Sequence, residues 1–148
     1  MSILLDVDLA KVNFRATSCD AIVVEAGRVL LARRKFPPFA GFYCLPGGRV
    51  DRNETTRQCV LRELFEETGL KGKVVRMLGV YDEPGRDERQ TIAVAFIVEL
   101  EKGQSPLNET KETEGIAFFP LDALPEKIAF DHRRMIADAA GADGLYRD

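Results

Sequence analysis

The segment Arg62-Glu63-Leu64-Phe65-Glu66-Glu67-Thr68-Gly69 decides how the rest of the chain is read, because it describes an acidic helix that ends on a glycine. Gly69 is the residue type that tolerates the left-handed conformation after a last helical turn. Pro46-Gly47-Gly48 breaks the chain upstream, so the pattern predicts a helix that opens near Asn53 or Glu54, with Asn53 as N-cap, and runs to about Thr68. At about 100° per residue, Val60, Leu61, Leu64 and Phe65 cover one apolar arc, and Glu63, Glu66 and Glu67 fall within about 100° of one another beside it. Glu66 and Glu67 stand at the helical neighbour spacings from Glu63, where like charges repel. Two readings of this face compete: a solvated acidic surface partnered by Arg62, or oxygen ligands for a hard divalent cation such as Mg²⁺ or Mn²⁺. The Gly47-Gly48 turn adds weight to the second, since flexible backbone there brings a main-chain group near a metal-phosphate cluster.

Outward from this helix, β-rich runs and turn signals alternate. Ala21 to Glu25 and Val29 to Arg33 flank Ala26-Gly27-Arg28 and predict a hairpin. Lys35 to Gly41 contains Pro37-Pro38 and reads as a loop, with a short strand after it at Phe42 to Leu45. Beyond the helix, Lys73 to Val80 and Thr91 to Leu100 read as strands, the second apolar enough to be buried on both faces. The polar loop Asp82 to Gln90 separates them. A second polar stretch, Gly103 to Gly115, precedes a strand at Ile116 to Phe119, and Asp131 to Ala140 reads as a closing helix. The order of strands, helix, strands, helix points to an α/β sandwich with a mixed sheet.

Composition narrows the function classes. With 148 residues, Lys+Arg 21 against Asp+Glu 24 and a net charge of −3, the chain reads as one globular domain over 1–148. That balance argues against a dedicated nucleic-acid or anionic-membrane binder, but leaves room for a local phosphate site. No apolar run is long enough to span a bilayer and no secretory signal opens the chain, so a cytoplasmic location is expected. Cys19, Cys44 and Cys59 lack the C-x-x-C spacing of a zinc or redox site and are expected as buried thiols.

The positions Gly48, Glu54, Arg62-Glu63, Leu64, Glu66-Glu67, Gly69 and Leu70, at these intervals, resemble the signature box of the Nudix hydrolases. The resemblance extends over nearly the whole chain, from the hairpin through Arg33-Arg34, Pro37-Pro38, Gly41 and Leu45-Pro46-Gly47-Gly48 to Phe118-Phe119-Pro120-Leu121-Asp122. It implies a Nudix-type α/β/α sandwich about a mixed central sheet, and hydrolysis of a nucleoside diphosphate linked to another group. Carried onto this sequence, it makes Glu63, Glu66 and Glu67 catalytic metal ligands, with the Gly47 carbonyl as a further one and Mg²⁺ or Mn²⁺ as cofactor. Gly48, Glu54, Arg62 and Gly69 would support the box, Glu54 and Arg62 as a bracing pair. The general base has no fixed position; Glu112 or Glu114, before the last strand, is an extra candidate base or ligand.

The loop Tyr81-Asp82-Glu83-Pro84-Gly85-Arg86-Asp87-Glu88-Arg89 resembles one found in ADP-ribose pyrophosphatases, with Glu83 and Gln90 departing from the usual pattern. Arg86 and Arg89 offer forked donors to phosphate or ribose oxygens, and Arg34 is a second phosphate candidate. The competing reading pairs these charges within the loop. The expected activity is release of AMP and a sugar phosphate from ADP-ribose or a related nucleotide sugar. The alternatives are a nucleoside triphosphate pyrophosphatase and, disfavoured by the intact box, a non-catalytic nucleotide sensor. His132 reads more readily as a packed polar group than as a catalyst. The expected partner is a small nucleotide, with neither nucleic acid nor membrane. A homodimer built through Met1 to Ala16 is the remaining possibility that the resemblance raises.

Overall fold

A computed structural model of the chain describes residues 13–143. The expected dimerisation segment Met1 to Ala16 therefore lies largely outside the described residues. Two sheets form from the strands β1 (Thr17–Ile22), β2 (Val24–Glu25), β3 (Arg28–Arg34), β4 (Tyr43–Cys44), β5 (Gly47–Arg49), β6 (Gly72–Tyr81), β7 (Ile92–Leu100) and β8 (Thr113–Pro120). The first is mixed, in the order β5-β1-β7-β6, with β1 and β7 parallel and the outer pairs antiparallel. The second is antiparallel around β3, which pairs β2, β4 and β8. Helices α1 (Thr56–Thr68) and α2 (His132–Asp143) lie on opposite sides of this layer.

Strand alternation produces that sandwich directly. Cys19, Ala21, Val94, Phe96, Val98, Leu30 and Ala32 face the core that holds Cys59, Val60 and Leu64 of α1. Their sequence neighbours Ile22, Ala93, Ala95, Ile97, Val29 and Leu31 face the core that holds Met135, Ile136 and Ala139 of α2. The three cysteines are free and buried, as composition suggested.

Local details depart from the sequence expectations in four places. The hairpin forms between β2 and β3 around Ala26-Gly27, but the run feeding it divides at Val23, so β1 belongs to the other sheet. Helix α1 is capped by Thr55, not Asn53: Thr55 and Gln58 exchange side-chain-to-backbone hydrogen bonds in a capping box, while Asn53 takes a left-handed turn at φ 64°. Gly47–Arg49, expected as a break only, is a strand, because its backbone pairs with Ser18 to Asp20 of β1. Finally, Phe65 is half exposed and packs its ring face against Lys71, 5.7 Å from the ring centroid. The buried face of α1 is centred on Val60 and Leu64, which puts Glu67, about 20° from Val60, inside and Phe65 outside.

Candidate active site

The strand β5 and the helix α1 bring the acidic residues to a cavity of about 290 Å³ whose lining includes Asp20, Glu63, Glu67, Asp87 and Glu112 together with Arg34, Arg49, Arg86 and Arg89. Glu67 is anchored by the Gly47 N–H, which donates to its Oε2 at 3.1 Å, and Gly47 itself lines the cavity. A Cβ at Gly48 would overlap the Glu63 carboxyl group, so any larger residue there requires that side chain to shift. At Gly47 a Cβ would overlap the Asp20 carboxylate and the Cys19 carbonyl. At Gly69, φ is 79° and the N–H donates to the Phe65 carbonyl, closing the helix.

Arg62 ties the acidic face together. Its Nε and Nη2 donate to the two carboxylate oxygens of Glu54 at 2.6 and 3.0 Å, and its Nη1 donates to Glu63 at 2.8 Å and to Glu66 at 3.1 Å. A further bond from Nη2 to the Arg49 carbonyl pins the loop to the helix. The Arg62 hydrogen bonds hold the Glu54 carboxyl below the usual carboxylate range. Glu63 and Glu67 behave oppositely. Burial raises Glu63 to about 7 despite Arg62, and burial with the neighbouring Glu63 raises Glu67 well above its ordinary value. Glu66 is exposed, at the outer edge of the group.

These residues fit a hydrated divalent cation. The donors are all hard oxygens, and Glu67 is buried beside the part-buried Glu63, where an added cation would offset the cost of holding both as carboxylates. Among the described residues no three His, Cys, Asp or Glu side chains already close on one point. An ion of the Mg²⁺ type keeps several waters and takes one or two protein carboxylates plus substrate oxygens.

The other predicted residues separate. Glu112, in the loop before β8, lines the cavity, whereas Glu114 stands opposite Arg33 in the β3–β8 ladder and pairs with it at 3.3 Å. Arg34 and Arg89 border the cavity. Arg86 does so too, but its donors are engaged: Nε and Nη2 bond both oxygens of Asp131 at 3.1 and 2.7 Å, and Nη1 bonds the Thr91 carbonyl at 3.0 Å and Asp87 at 3.4 Å. Its side chain is 3% exposed. The expected substrate contact from Arg86 thus gives way to a bracing role for the loop.

Several site residues were not anticipated. Arg15 donates to the carbonyls of Gln90 and Asp82, both at 2.6 Å, and so clasps the two ends of the arginine loop. Asp20, a lone carboxylate in an apolar strand, sits 3.4 Å from His132 Nε2, and His132 Nδ1 accepts the Leu45 N–H at 3.0 Å. Accepting at Nδ1 places the ring proton on Nε2, toward Asp20. Phe130, at φ 54°, sets its ring 5.1 to 5.9 Å from the guanidinium carbons of Arg34, Arg86 and Arg89. Tyr43 positions this segment, since its backbone bonds Lys127 and Ala129. A buried carboxylate in a strand was the one readable signal for Asp20; the others depend on distant partners.

With the site described, comparison with known proteins places the chain. Residues 14–139 match the model of the NUDIX domain, and the chain belongs to the Nudix hydrolase family. An ADP-ribose pyrophosphatase of Methanocaldococcus jannaschii is 43% identical over 125 residues, covering 83% of this chain and 72% of that protein. The crystal structure of a MutT NUDIX hydrolase from Burkholderia pseudomallei superposes with a TM-score of 0.72 at 31% identity, over 84% of this chain and 98% of that one. A bifunctional NMN adenylyltransferase/ADP ribose pyrophosphatase from Francisella tularensis, complexed with AMP and Mn ion, gives a TM-score of 0.71 at 26% identity, over 86% of this chain and 42% of that one. The chain is a Nudix hydrolase, and hydrolases of this family depend on divalent metal. No helix among the described residues is long and apolar enough to cross a membrane.

Proposed function

We propose that this hydrolase cleaves the diphosphate of ADP-ribose or a related nucleotide sugar, giving AMP and a sugar phosphate, with Mg²⁺ or Mn²⁺ as its metal. One observation carries the reading: a single cavity gathers the carboxylates Glu63, Glu67 and Glu112 beside the arginines Arg34 and Arg89. The carboxylates suit a metal and a water; the arginines suit the two phosphates of the substrate. The likeness to the Methanocaldococcus jannaschii pyrophosphatase supports ADP-ribose in particular.

Glu63 and Glu67 would hold the cation, with Glu66 at the outer edge of the same helix face and the Gly47 carbonyl as further ligands. A divalent ion held by these carboxylates would supply Lewis-acid activation of the attacking water and offset phosphate charge. Glu112, exposed in its loop and lining the cavity, would accept the water's proton. Arg34 and Arg89 would hold the diphosphate through charge-assisted hydrogen bonds. Arg86, Asp131 and Arg15 keep the Arg89 loop at the rim.

The test is product analysis with ADP-ribose, other nucleotide sugars and nucleoside triphosphates in the presence of Mg²⁺. AMP formed mainly from ADP-ribose supports the reading. Diphosphate formed mainly from triphosphates overturns it in favour of a triphosphate pyrophosphatase on the same carboxylates.

A further inference from the structure

Next to the carboxylate cavity lies a second and larger hollow, of about 900 Å³, that the chemistry above does not use. Pro37, Pro38 and Phe39 line it from the proline loop, and Pro84, Gly85 and Gln90 from the arginine loop. The two hollows adjoin at Arg86, Asp87 and Arg89, which border both. From these features we infer that the cleft between the proline and arginine loops is a nucleobase subsite, which takes the base of the substrate while the diphosphate crosses at Arg89. The inference rests on the nucleotide-hydrolase reading of the neighbouring cavity and names where that substrate's base is bound.

Size gives the first argument. At about 290 Å³ the carboxylate cavity is at the lower bound of small-ligand pockets, and it must also hold a hydrated cation and a diphosphate. A nucleoside has to extend beyond it. Chemistry gives the second. Three prolines contribute no backbone N–H at this surface, and Phe39 adds an aromatic ring that is 36% exposed. The Phe39 ring is held edge-on by Phe42 at 5.4 Å and by Phe130 at 4.8 Å between centroids. Flat apolar walls of this kind suit the face of a planar base, and the Gln90 carboxamide at the same rim carries both a donor and an acceptor for a base edge. A third hollow, of about 240 Å³, also borders Arg34 and Arg89; it shares Pro37 and Pro38 with the cleft and adds Phe36 and Cys44, but it is far smaller and Arg49, Glu67, Glu112 and Thr113 supply the polar groups that suit a sugar. Charge gives the last argument: the arginines stand at the junction, where a diphosphate bridging base and sugar must pass.

The experiment compares the binding of AMP and of ribose 5-phosphate by titration calorimetry, with Mg²⁺ present, for the whole chain. These two probes differ only by the base. Wild-type protein is expected to bind AMP about ten-fold or more tightly than ribose 5-phosphate. Gly85→Leu fills the cleft: a Cβ at Gly85 meets nothing within 4 Å, and the backbone there is open to any L residue. It is expected to bring the AMP to ribose 5-phosphate ratio close to one, and Phe39→Leu to reduce it in the same direction, with melting temperatures confirming folded protein. Equal affinities in the wild type, or a ratio that survives Gly85→Leu in folded protein, overturn the subsite. The readout is independent of which nucleotide is hydrolysed, so preferred turnover of triphosphates would reverse the ADP-ribose reading and leave this test intact.

Discussion

Arg86 and Asp131 are separated by 45 residues and joined at two points, Nη2 to Oδ1 at 2.7 Å and Nε to Oδ2 at 3.1 Å. This pair ties the arginine loop to the entrance of α2, and through His132 to Asp20 in the central sheet. Asp131→Asn removes the charge partner of a nearly buried guanidinium. Breaking such a pair costs about 3–5 kcal/mol, so a fall in melting temperature of roughly 6–20 °C is expected in calorimetry. An unchanged melting temperature would show that Asp87 and the Thr91 carbonyl hold Arg86 without it.

The same pair predicts a pH dependence. Burial by itself favours the neutral acid at Asp131, but the Arg86 hydrogen bonds outweigh it and hold the carboxyl below its ordinary value. A depressed folded-state pKa gives stabilisation that is complete above the unfolded value, about 3.9, and lost as pH falls through the folded one. The gap in melting temperature between wild type and Asp131→Asn should therefore be constant above about pH 5 and narrow as pH drops below 4. A gap that is widest in acid would contradict the assignment.

Glu67→Gln separates activity from stability. The glutamine oxygen still accepts the Gly47 N–H, and the side chain no longer resists ionisation in a buried place. Metal-free protein is expected to melt at the same temperature as wild type or higher near pH 8, while Mg²⁺-dependent turnover falls by at least about two orders of magnitude. Near-normal turnover would remove Glu67 from the metal set.

Gly48→Ala tests the fit of turn to helix. The added methyl group meets the Glu63 carboxyl group, which must move, and Mn²⁺ affinity measured by calorimetry should fall by about 10–100-fold. Unchanged affinity would place the ion away from Glu63.

Arg34→Gln and Arg89→Gln test the phosphate contacts. Hydrogen bonds to a charged group contribute about 1.5–3 kcal/mol, so each change should raise KM for ADP-ribose by about 10–100-fold with a smaller effect on kcat. A KM within two-fold of wild type for either variant would return that residue to a surface role.

What could be read in advance follows the range of the interaction that decides it. Helix α1, its glycine end and the alternating strands depend on neighbours a few residues away, and they form where periodicity puts them. The cap was misplaced within that range, because Asn53 is as good a cap as Thr55 until Gln58 is recognised as the returning half of a capping box. Strand β5 was invisible: Gly47-Gly48 signals a turn, and only pairing with Ser18 to Asp20 makes it a strand. Site residues divide likewise. The helix carboxylates were legible from spacing, whereas Arg86 shows its role only through Asp131, and the choice between Glu112 and Glu114 depends on the pairing of β8 with β3, which sets Glu114 opposite Arg33 and leaves Glu112 in the loop.

The division at Val23 has a consequence for how the molecule opens. One uninterrupted stretch from Thr17 to Glu25 contributes to both sheets, and the Val23 carbonyl accepts the Leu30 N–H at the changeover. Neither sheet can peel away alone, because releasing either one drags the same backbone out of the other. The amides of Cys19 to Val24 are therefore expected to exchange with solvent only when the whole fold is lost, which makes this short run the slowest clock in the protein.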